Sequence, residues 1–288
     1  MQAVLVIAHR QPEQIIALAK ELVPTFKVFI HLDTKMTVTS SQLEELDKLG
    51  VYYFSKIDVR WGGWSIGQVA VELFKVALKD PSITYLHLIS GQDWPTKKPA
   101  EIARFFENSS KIYLSYFQAN KVSKTGEKVI WWAKYYYPYD KLNRRTTFGK
   151  IYHRLNIMAQ MILRVNKLKK LGYAEDQIYS GANWVDLPRD VAEFVIKDFD
   201  SNKRLRQLLS TSAFADEFWL PTVLCNIPKY YQRIDQNIHR YIILEKRHGS
   251  RPAILDETDL RPIQAGDYFW ARKVVFGISD KLVKGLEN

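Results

Sequence analysis

The sequence predicts an α/β fold with a mostly parallel central sheet flanked by helices, and three observations support this. The first is composition, because 47% hydrophobic residues in a chain of 288 allow a sizeable core. The second is alternation, with strands expected at residues 3–8, 26–32 and 51–54 and helices at 13–22 and 41–49. Repeated strand–helix alternation favours parallel strands joined by right-handed crossovers. The third is a mostly apolar, β-prone segment at 85–89, typical of a strand buried on both faces.

The segment that follows this strand is the first candidate site. Ser90, Gly91, Gln92 and Asp93 form a polar turn before a helix that begins near Pro99. Ligands of open α/β sheets bind beyond the carboxyl ends of the strands, so chemistry is expected at Gln92 and Asp93. The alternative is an ordinary turn in which Asp93 caps the next helix.

The rest of the chain predicts further elements without a boundary between domains. Ser65 is a plausible N-cap for a helix over 66–78. Later segments predict strands at 111–118, 129–138 and 238–244 and helices at 143–172 and 189–197. There is no internal repeat or Pro-, Gly- or Ser-rich linker, so a single domain spanning residues 1–288 is expected.

The chain is strongly basic and rich in aromatic residues. Its formal net charge of +11 indicates anionic partners: nucleic acid, acidic lipid head groups or phosphorylated substrates. The basic segment 143–172 has two interpretations. In the first, a stripe of apolar residues packs into the core beneath a solvated basic face: Ile151, Leu155, Met158, Ile162, Val165 and Leu168. In the second, the segment contacts an anionic membrane or a lipid-phosphate acceptor.

The cysteine content and the N-terminal segment favour a cytoplasmic location. Cys225 is the one cysteine, so the sequence permits neither an intrachain disulfide nor a cysteine metal cluster. The N-terminal apolar run is short for a secretory signal, and no run approaches the ~20 apolar residues of a membrane span. We therefore expect a cytoplasmic protein, either free or peripheral on the inner face of the membrane.

Several catalytic and nucleotide-binding motifs are absent. The sequence contains no P-loop, no dinucleotide-binding glycine fingerprint, no nucleophile elbow and no closely spaced histidine pair. Asp198 and Asp200 form an Asp-x-Asp that could suggest a metal–nucleotide-sugar site, but their place at a helix end favours capping. The polar residues left at predicted strand ends and in the late basic cluster are Asp33, Arg60, Ser65, Asp93, Asp216, Glu217, Arg251, Arg272 and Lys273. A carboxylate facing several cations suits sugar transfer from a nucleotide donor, with a base for the acceptor hydroxyl and positive charge for the diphosphate.

Ordered motifs then resemble one family across almost the whole chain. They are Gly-Gly-Trp-Ser ending at Ser65, Leu-x-Ser-Gly-Gln-Asp-Trp-Pro ending at Pro95, Ser-Gly-Ala-Asn-Trp ending at Trp184, Asp-Glu-Phe ending at Phe218, an Arg-Pro segment from Arg251, and Trp-Ala-Arg-Lys ending at Lys273. This order resembles the core-2/I-branching β-1,6-N-acetylglucosaminyltransferases, a family that also contains the peptide O-xylosyltransferases.

The resemblance implies a GT-A-type fold and inverting transfer from a UDP-sugar without a bound metal or other cofactor. By position Glu217 is implied as the catalytic base, with Asp216 orienting its loop. Lys273 and Arg251 are implied to neutralise the diphosphate, with Arg247 and His248 as near competitors of Arg251.

The remaining implied contacts concern the nucleotide and the sugar. Asp33, Trp64 and Ser65 are implied in the uridine and ribose pocket. Asp93 is implied either to contact the transferred sugar or to anchor its loop. Residues 1–120 would then form the nucleotide-sugar-binding half, and 121–288 the acceptor and catalytic half.

The chain departs from the family by lacking its usual membrane anchor and its many cysteines, and residues 124–139 match only in general character. These departures suggest a bacterial-type enzyme acting on a glycan or lipid-linked glycan acceptor. GlcNAc is the first candidate sugar. A xylosyltransferase or other UDP-hexose transferase, a basic nucleic-acid-binding protein and a non-catalytic sugar-binding module are the alternatives; with no recognised nucleic-acid motif, no nucleic-acid partner is expected.

Overall fold

The computed structural model describes residues 1–287. Its strands are β1 Gln2–Ala8, β2 Lys27–Leu32, β3 Tyr52–Phe54, β4 Tyr85–Ser90, β5 Asp93–Pro95, β6 Ile112–Tyr113, β7 Tyr116–Gln118, β8 Ser123–Lys124, β9 Glu127–Lys128, β10 Tyr179–Gly181, β11 Val185–Pro188, β12 Ile234–Asp235, β13 Arg240–Ile242 and β14 Trp270–Arg272. Its helices are α1 Pro12–Leu22, α2 Ser40–Lys48, α3 Ser65–Ala77, α4 Pro99–Phe106, α5 Val129–Lys134, α6 Thr147–Ile162, α7 Lys167–Leu171, α8 Arg189–Ser201, α9 Lys203–Ser210, α10 Trp219–Cys225, α11 Pro228–Tyr231, α12 Leu260–Ala265 and α13 Asp280–Glu287. None of these helices is both long and apolar enough to cross a membrane.

Residue contacts divide the chain into two compact units. Unit 1 comprises Met1–Lys56, Lys79–Ser110 and the residues from Asn237 on, and unit 2 comprises Ile57–Leu78 and Lys111–Gln236. The bounds of these units differ from those of the halves expected on either side of residue 120. The single domain and its two functional halves stay predictions.

Unit 1 contains the parallel strands that the sequence predicts. β1 pairs in parallel with β2 and β4, and β2 pairs in parallel with β3. Leu5 lies opposite Phe29 on one side and Leu88 on the other, and β1 and β4 are buried along their lengths. A separate small sheet places β14 between β13, to which it is parallel, and β5, to which it is antiparallel. The predicted α/β fold with a mostly parallel sheet flanked by helices is confirmed.

Unit 2 is built from short strands and most of the helices. β6 pairs in parallel with β12 and antiparallel with β11, β7 pairs antiparallel with β10, and β8 and β9 form a hairpin. Its core includes an aromatic cluster around the buried Trp219, which Trp64, Phe74 and Phe199 contact.

Two sequence predictions in unit 2 are wrong. The predicted strand at 129–138 begins as helix α5, because Val129, Ile130 and Ala133 recur at helical spacing and are buried together. The predicted helix over 143–172 is two helices, α6 and α7. The break between them includes Arg164, whose φ of 51° is incompatible with a continuous right-handed helix.

Candidate functional site

The turn after β4 is organised around a buried carboxylate. Asp93 is fully buried, and its Oδ2 accepts hydrogen bonds from the backbone N–H of Ser90 at 2.5 Å and from the Ser90 hydroxyl at 2.6 Å. Arg272 lies opposite Asp93 in the pairing of β14 with β5 and donates to the same oxygen at 3.1 Å. Because its own loop and Arg272 enclose this carboxylate, the geometry favours the anchoring role over contact with a sugar. The role itself stays a prediction.

The two cations predicted to bind the diphosphate lie on adjoining segments of unit 1. Lys273 Nζ donates to Ser250 Oγ at 3.0 Å, and the Lys273 backbone N–H donates to the carbonyl of Ala253 at 3.2 Å. Arg251 follows Ser250 directly and is exposed, with its Nε donating to a backbone carbonyl at 2.8 Å. Tertiary pairing therefore brings together two cations that are distant in the sequence.

The competing cations Arg247 and His248 have acidic partners. Arg247 forms an ion pair with Asp259, and His248 Nε2 lies 2.7 Å from Asp256 Oδ2. Within residues 1–287, Arg251 has no such ion pair. The local charge balance therefore favours Arg251 as the cation that could receive a diphosphate.

Asp33 and His9 follow the parallel strands β2 and β1. The backbone N–H of Asp33 donates to Ala8, and its buried carboxylate lies 2.9 Å from Lys35 Nζ. His9 keeps contact with solvent, but partial burial and then the charge of Arg272, with smaller effects of other cations including Lys273, lower its pKa to about 4. Burial is the largest cause of this lowered pKa, and the neighbouring cations Arg272, Arg10 and Lys273 add a positive field that suits a phosphate-bearing ligand.

In unit 2, Trp64 and Ser65 form the start of α3. The Trp64 ring is buried against Trp219, and the Ser65 hydroxyl accepts a hydrogen bond from the backbone N–H of Arg60 at 2.8 Å. Since both side chains are used in packing and loop closure, their geometry favours an indirect role in shaping a pocket. Their assignment to uridine binding stays a prediction.

The predicted N-cap at Ser65 is wrong, because Ser65 is already helical and a distant carboxylate caps the helix. Asp140 accepts from the backbone N–H groups of Trp64 at 3.1 Å and Ser65 at 3.0 Å. A Cβ on Gly63 would lie 2.1 Å from Asp140 Oδ1, so only glycine allows this approach.

Asp216 and Glu217 are adjacent, partly buried carboxylates in the 3-10 turn Ala215–Glu217, just before α10. Burial, and then the charge of Glu217, raise the pKa of Asp216, whose Oδ2 accepts from Asn183 Nδ2 at 3.1 Å. Burial also raises the pKa of Glu217, while Lys124, 3.5 Å away, opposes that rise. Raised carboxyl pKa values of this kind are typical of groups that exchange protons in catalysis.

The backbone that carries this pair is held in an uncommon conformation. Phe214 has a φ of 51°, in the left-handed region that a bulky side chain rarely adopts, and its N–H donates to the Gly62 carbonyl at 2.8 Å. This hydrogen bond joins the carboxylate turn to the glycine pair that precedes α3.

The hairpin that carries Lys124 is anchored by a partly buried network. Glu127, in β9, lies 2.7 Å from His153 Nε2 and accepts from Trp132 Nε1 at 2.7 Å. Burial alone would raise the pKa of Glu127, but the hydrogen bonds from His153 and Trp132 lower it. An ionised Glu127 therefore ties the β8–β9 hairpin to α5 and α6.

The Asp-x-Asp lies in the last turn of α8 and does not cap a helix N-terminus. Asp200 pairs with Lys75 at 2.7 Å, and Asp198 accepts a long hydrogen bond from Asn202 at 3.4 Å. Across residues 1–287, no group of three or more His, Cys, Asp and Glu side chains is arranged to hold a metal ion.

Four residues of these sites are not among the candidates that the sequence predicts. Asn183 lies within a motif quoted for the family resemblance, so its position carried a signal. Lys124, Asp140 and His9 carried none, because each is identified by a contact or an electrostatic interaction with residues distant in sequence.

Comparisons with known proteins give one family and a set of weak structural similarities. A model of the Core-2/I-branching enzyme family matches residues 23–264. Among curated proteins, no sequence matches the chain. The apo structure of WbbM, a bifunctional glycosyltransferase, is 8% identical with a TM-score of 0.43, and the match covers all of this chain and 50% of WbbM.

Two further solved structures have lower TM-scores. HddC from Yersinia pseudotuberculosis is 12% identical with a TM-score of 0.26, over 41% of this chain and 60% of HddC. A putative glucose-1-phosphate thymidylyltransferase from Bacillus anthracis, in complex with sucrose, is 11% identical with a TM-score of 0.31, over 81% of this chain and 93% of its own. At these TM-scores the structural similarities carry no argument about function.

The family match extends over most of the chain and includes all the candidate site residues except His9, Arg272 and Lys273. It includes the carboxylate pair, the α3 start and the Arg251 loop, and it agrees with the α/β fold described above. The chain belongs to the Core-2/I-branching enzyme family of glycosyltransferases.

Proposed function

We propose that the chain is an inverting glycosyltransferase that moves a sugar, first of all GlcNAc, from a UDP-sugar to a hydroxyl of a glycan or lipid-linked glycan. Transfer of xylose or of another hexose from UDP is the alternative within the same chemistry. The observation that carries the proposal is the partly buried Asp216–Glu217 pair, with Glu217 3.5 Å from Lys124, in a chain of this family. Burial raises the pKa of both carboxyl groups.

Glu217 is proposed as the general base. Its carboxylate takes the proton of the acceptor hydroxyl, and the oxygen then attacks the anomeric carbon of the donor. The bond from that carbon to the UDP oxygen breaks, and UDP leaves with the electron pair, which inverts the configuration. One carboxylate within ~3 Å of the acceptor hydroxyl suffices for this step.

Lys273 and Arg251 are proposed to neutralise the departing diphosphate. Charge-assisted hydrogen bonds to phosphate oxygens are stronger than hydrogen bonds between neutral groups. The Arg251 guanidinium can donate two parallel hydrogen bonds to phosphate oxygens, whereas the Lys273 ammonium acts as a compact positive charge. Asp33, Trp64 and Ser65 are proposed to shape the nucleoside pocket. In this proposal the two cations replace a divalent metal, and no cofactor is required.

The test is a donor panel of UDP-GlcNAc, UDP-Xyl, UDP-Glc and UDP-Gal, with binding and transfer measured in EDTA and in manganese. We expect selective binding of one UDP-sugar that persists in EDTA. Binding that disappears in EDTA would contradict metal independence, and no binding under either condition would contradict the UDP-sugar assignment.

Two variants assign the roles within this panel. Glu217→Gln should keep donor affinity and lower transfer by about 10²–10⁴-fold, whereas Glu193→Gln, on the exposed part of α8, should change neither. Lys273→Ala should weaken UDP binding in both media, while Lys281→Ala should not, since Lys281 is exposed and pairs with Glu257. Near-normal turnover by Glu217→Gln would rule out its role as base.

A further inference from the structure

Helix α6 turns its apolar stripe toward solvent. Six large apolar side chains of α6 and the residue after it are 53–74% exposed: Phe148, Ile151, Leu155, Met158, Ile162 and Leu163. The first five recur at spacings of three or four residues, so they lie along one face of the helix. Surface helices of globular proteins normally direct such a stripe into the core.

The opposite face of α6 holds the helix on unit 2 through polar contacts. The buried residues are Gly149, His153, Ile157 and Gln160. Gln160 accepts from the backbone N–H of Tyr136 at 2.8 Å and donates to its carbonyl at 3.0 Å, while His153 contacts Glu127. The exposed apolar face therefore does not serve the attachment of the helix.

Exposed basic residues lie along and on both sides of α6 in the sequence, and acidic residues are absent from the same stretch. Residues 141–174 contain no Asp or Glu. Exposed basic side chains on α6 and beside it are Arg145, Lys150, Arg154, Arg164, Lys169 and Lys170. An exposed apolar face accompanied by basic residues is typical of helices that lie in the interface of an anionic membrane.

We propose that the exposed face of α6 docks unit 2 onto an anionic lipid bilayer, with the helix lying in the plane of the head groups. The charge pattern favours lipid over a second copy of the chain. Two copies paired through this face would bring their basic residues together in a protein of net charge +11, whereas acidic head groups compensate those charges. The inference goes beyond sugar transfer and does not depend on the donor.

The experiment measures binding of the whole chain to phosphatidylcholine vesicles with and without phosphatidylglycerol. We expect binding only to the anionic vesicles, weakened by salt. The pair Leu155→Gln and Ile162→Gln should reduce partitioning by about tenfold or more. The matched control is Leu244→Gln with Ile278→Gln, two exposed apolar residues of unit 1, which should bind normally.

The basic residues of α6 are tested in the same way. Lys150→Gln with Arg154→Gln should weaken binding to the anionic vesicles. The control variant, Lys197→Gln with Lys203→Gln, removes two positive charges from the exposed faces of α8 and α9. It lowers the net charge by the same amount as the first variant and should weaken binding less.

A second measurement does not depend on a disruptive variant. Cys225, the one native cysteine, is buried, so a cysteine introduced at Met158 can carry an environment-sensitive fluorophore. Its emission should shift to the blue on anionic vesicles, and a label at Lys197→Cys should not respond.

Three outcomes would overturn the proposal. The first is failure of the native chain to bind anionic vesicles. The second is binding by the Leu155→Gln and Ile162→Gln variant that equals that of the native chain. The third is a native chain that forms a dimer and binds no vesicles, together with a variant that is monomeric. The last outcome would assign the face to a second copy. UDP-sugar binding by the same variants should stay normal, which distinguishes failure of docking from failure of the proposed transferase function.

Discussion

Adjacent carboxylates with different partners account for the chemistry expected at Glu217. Asp216 accepts a hydrogen bond from the neutral amide of Asn183, while Glu217 lies beside the cation Lys124. Two neighbouring carboxylates resist simultaneous ionisation, so the one with a cationic partner ionises more readily. We therefore expect Asp216 to retain its proton more readily, which agrees with the proposal of Glu217 as the base.

Removing Lys124 should change the pH dependence of the reaction. Lys124 opposes the rise in the pKa of Glu217, so Lys124→Met should raise that pKa further. A general base acts only when ionised, so the acidic limb of the plot of kcat/KM against pH should move to higher pH, with turnover near the alkaline plateau less affected.

The control is Lys128→Met, which removes an exposed lysine from the same hairpin. Its acidic limb should coincide with that of the native chain. An unchanged acidic limb in Lys124→Met would mean either that Glu217 is not the base or that Lys124 does not influence it.

At the scale of single elements, the start of α3 depends on a side chain remote in the sequence. Asp140 satisfies two N-terminal N–H groups of α3 that the local sequence leaves without a cap, and a negative charge at this end also complements the helix dipole. Gly63 permits the contact because it lacks a Cβ.

Asp140→Ala should therefore destabilise the protein by about 0.5–2 kcal/mol, the usual effect of losing an N-cap. Urea unfolding followed by circular dichroism measures the change in the free energy of unfolding. Asp176→Ala, which removes an exposed carboxylate, is the matched control and should have little effect. Equal stability of the two variants would show that Asp140 contributes nothing to α3.

Helix α6 shows the limit of periodicity as a predictor. The spacing of Ile151, Leu155, Met158 and Ile162 correctly predicts a helix with one apolar face. The interpretation that the stripe packs into the core is wrong for these four residues, which the structure exposes, and holds for Leu168 in α7, which is buried. His153 and Gln160 attach α6 instead. Periodicity reports which residues share a face, but not which medium that face contacts.

For the whole molecule, the net charge of +11 permits several anionic partners, but part of it is already neutralised. Arg272, Arg247 and Lys124 face Asp93, Asp259 and Glu217, respectively. Nucleic-acid binding through the remaining exposed cations should be non-specific.

We therefore expect weak binding to generic duplex DNA, with a dissociation constant no lower than about 10⁻⁶ M at physiological salt. The affinity should decrease as the salt concentration increases. Fluorescence anisotropy against salt concentration measures it, and the variant with Lys150→Gln and Arg154→Gln gives the share that the basic residues of α6 contribute. Tight, sequence-selective binding would instead support the nucleic-acid alternative.

The sequence by itself determined the α/β class, the positions of β1 to β4 along the chain and the family to which the chain belongs. These depend on local alternation and on ordered motifs, which the linear chain carries. It also predicted the candidates Glu217, Lys273 and Arg251, through resemblance.

Only the tertiary structure decided which residues act together. It brings Lys273 close to Ser250, Lys124 close to Glu217, and Asp140 close to the start of α3. It also shows that α5 is a helix and that the apolar stripe of α6 is exposed to solvent. The physical reason is that pairing, capping and desolvation arise between residues distant in sequence, whereas propensity and periodicity register only neighbours along the chain.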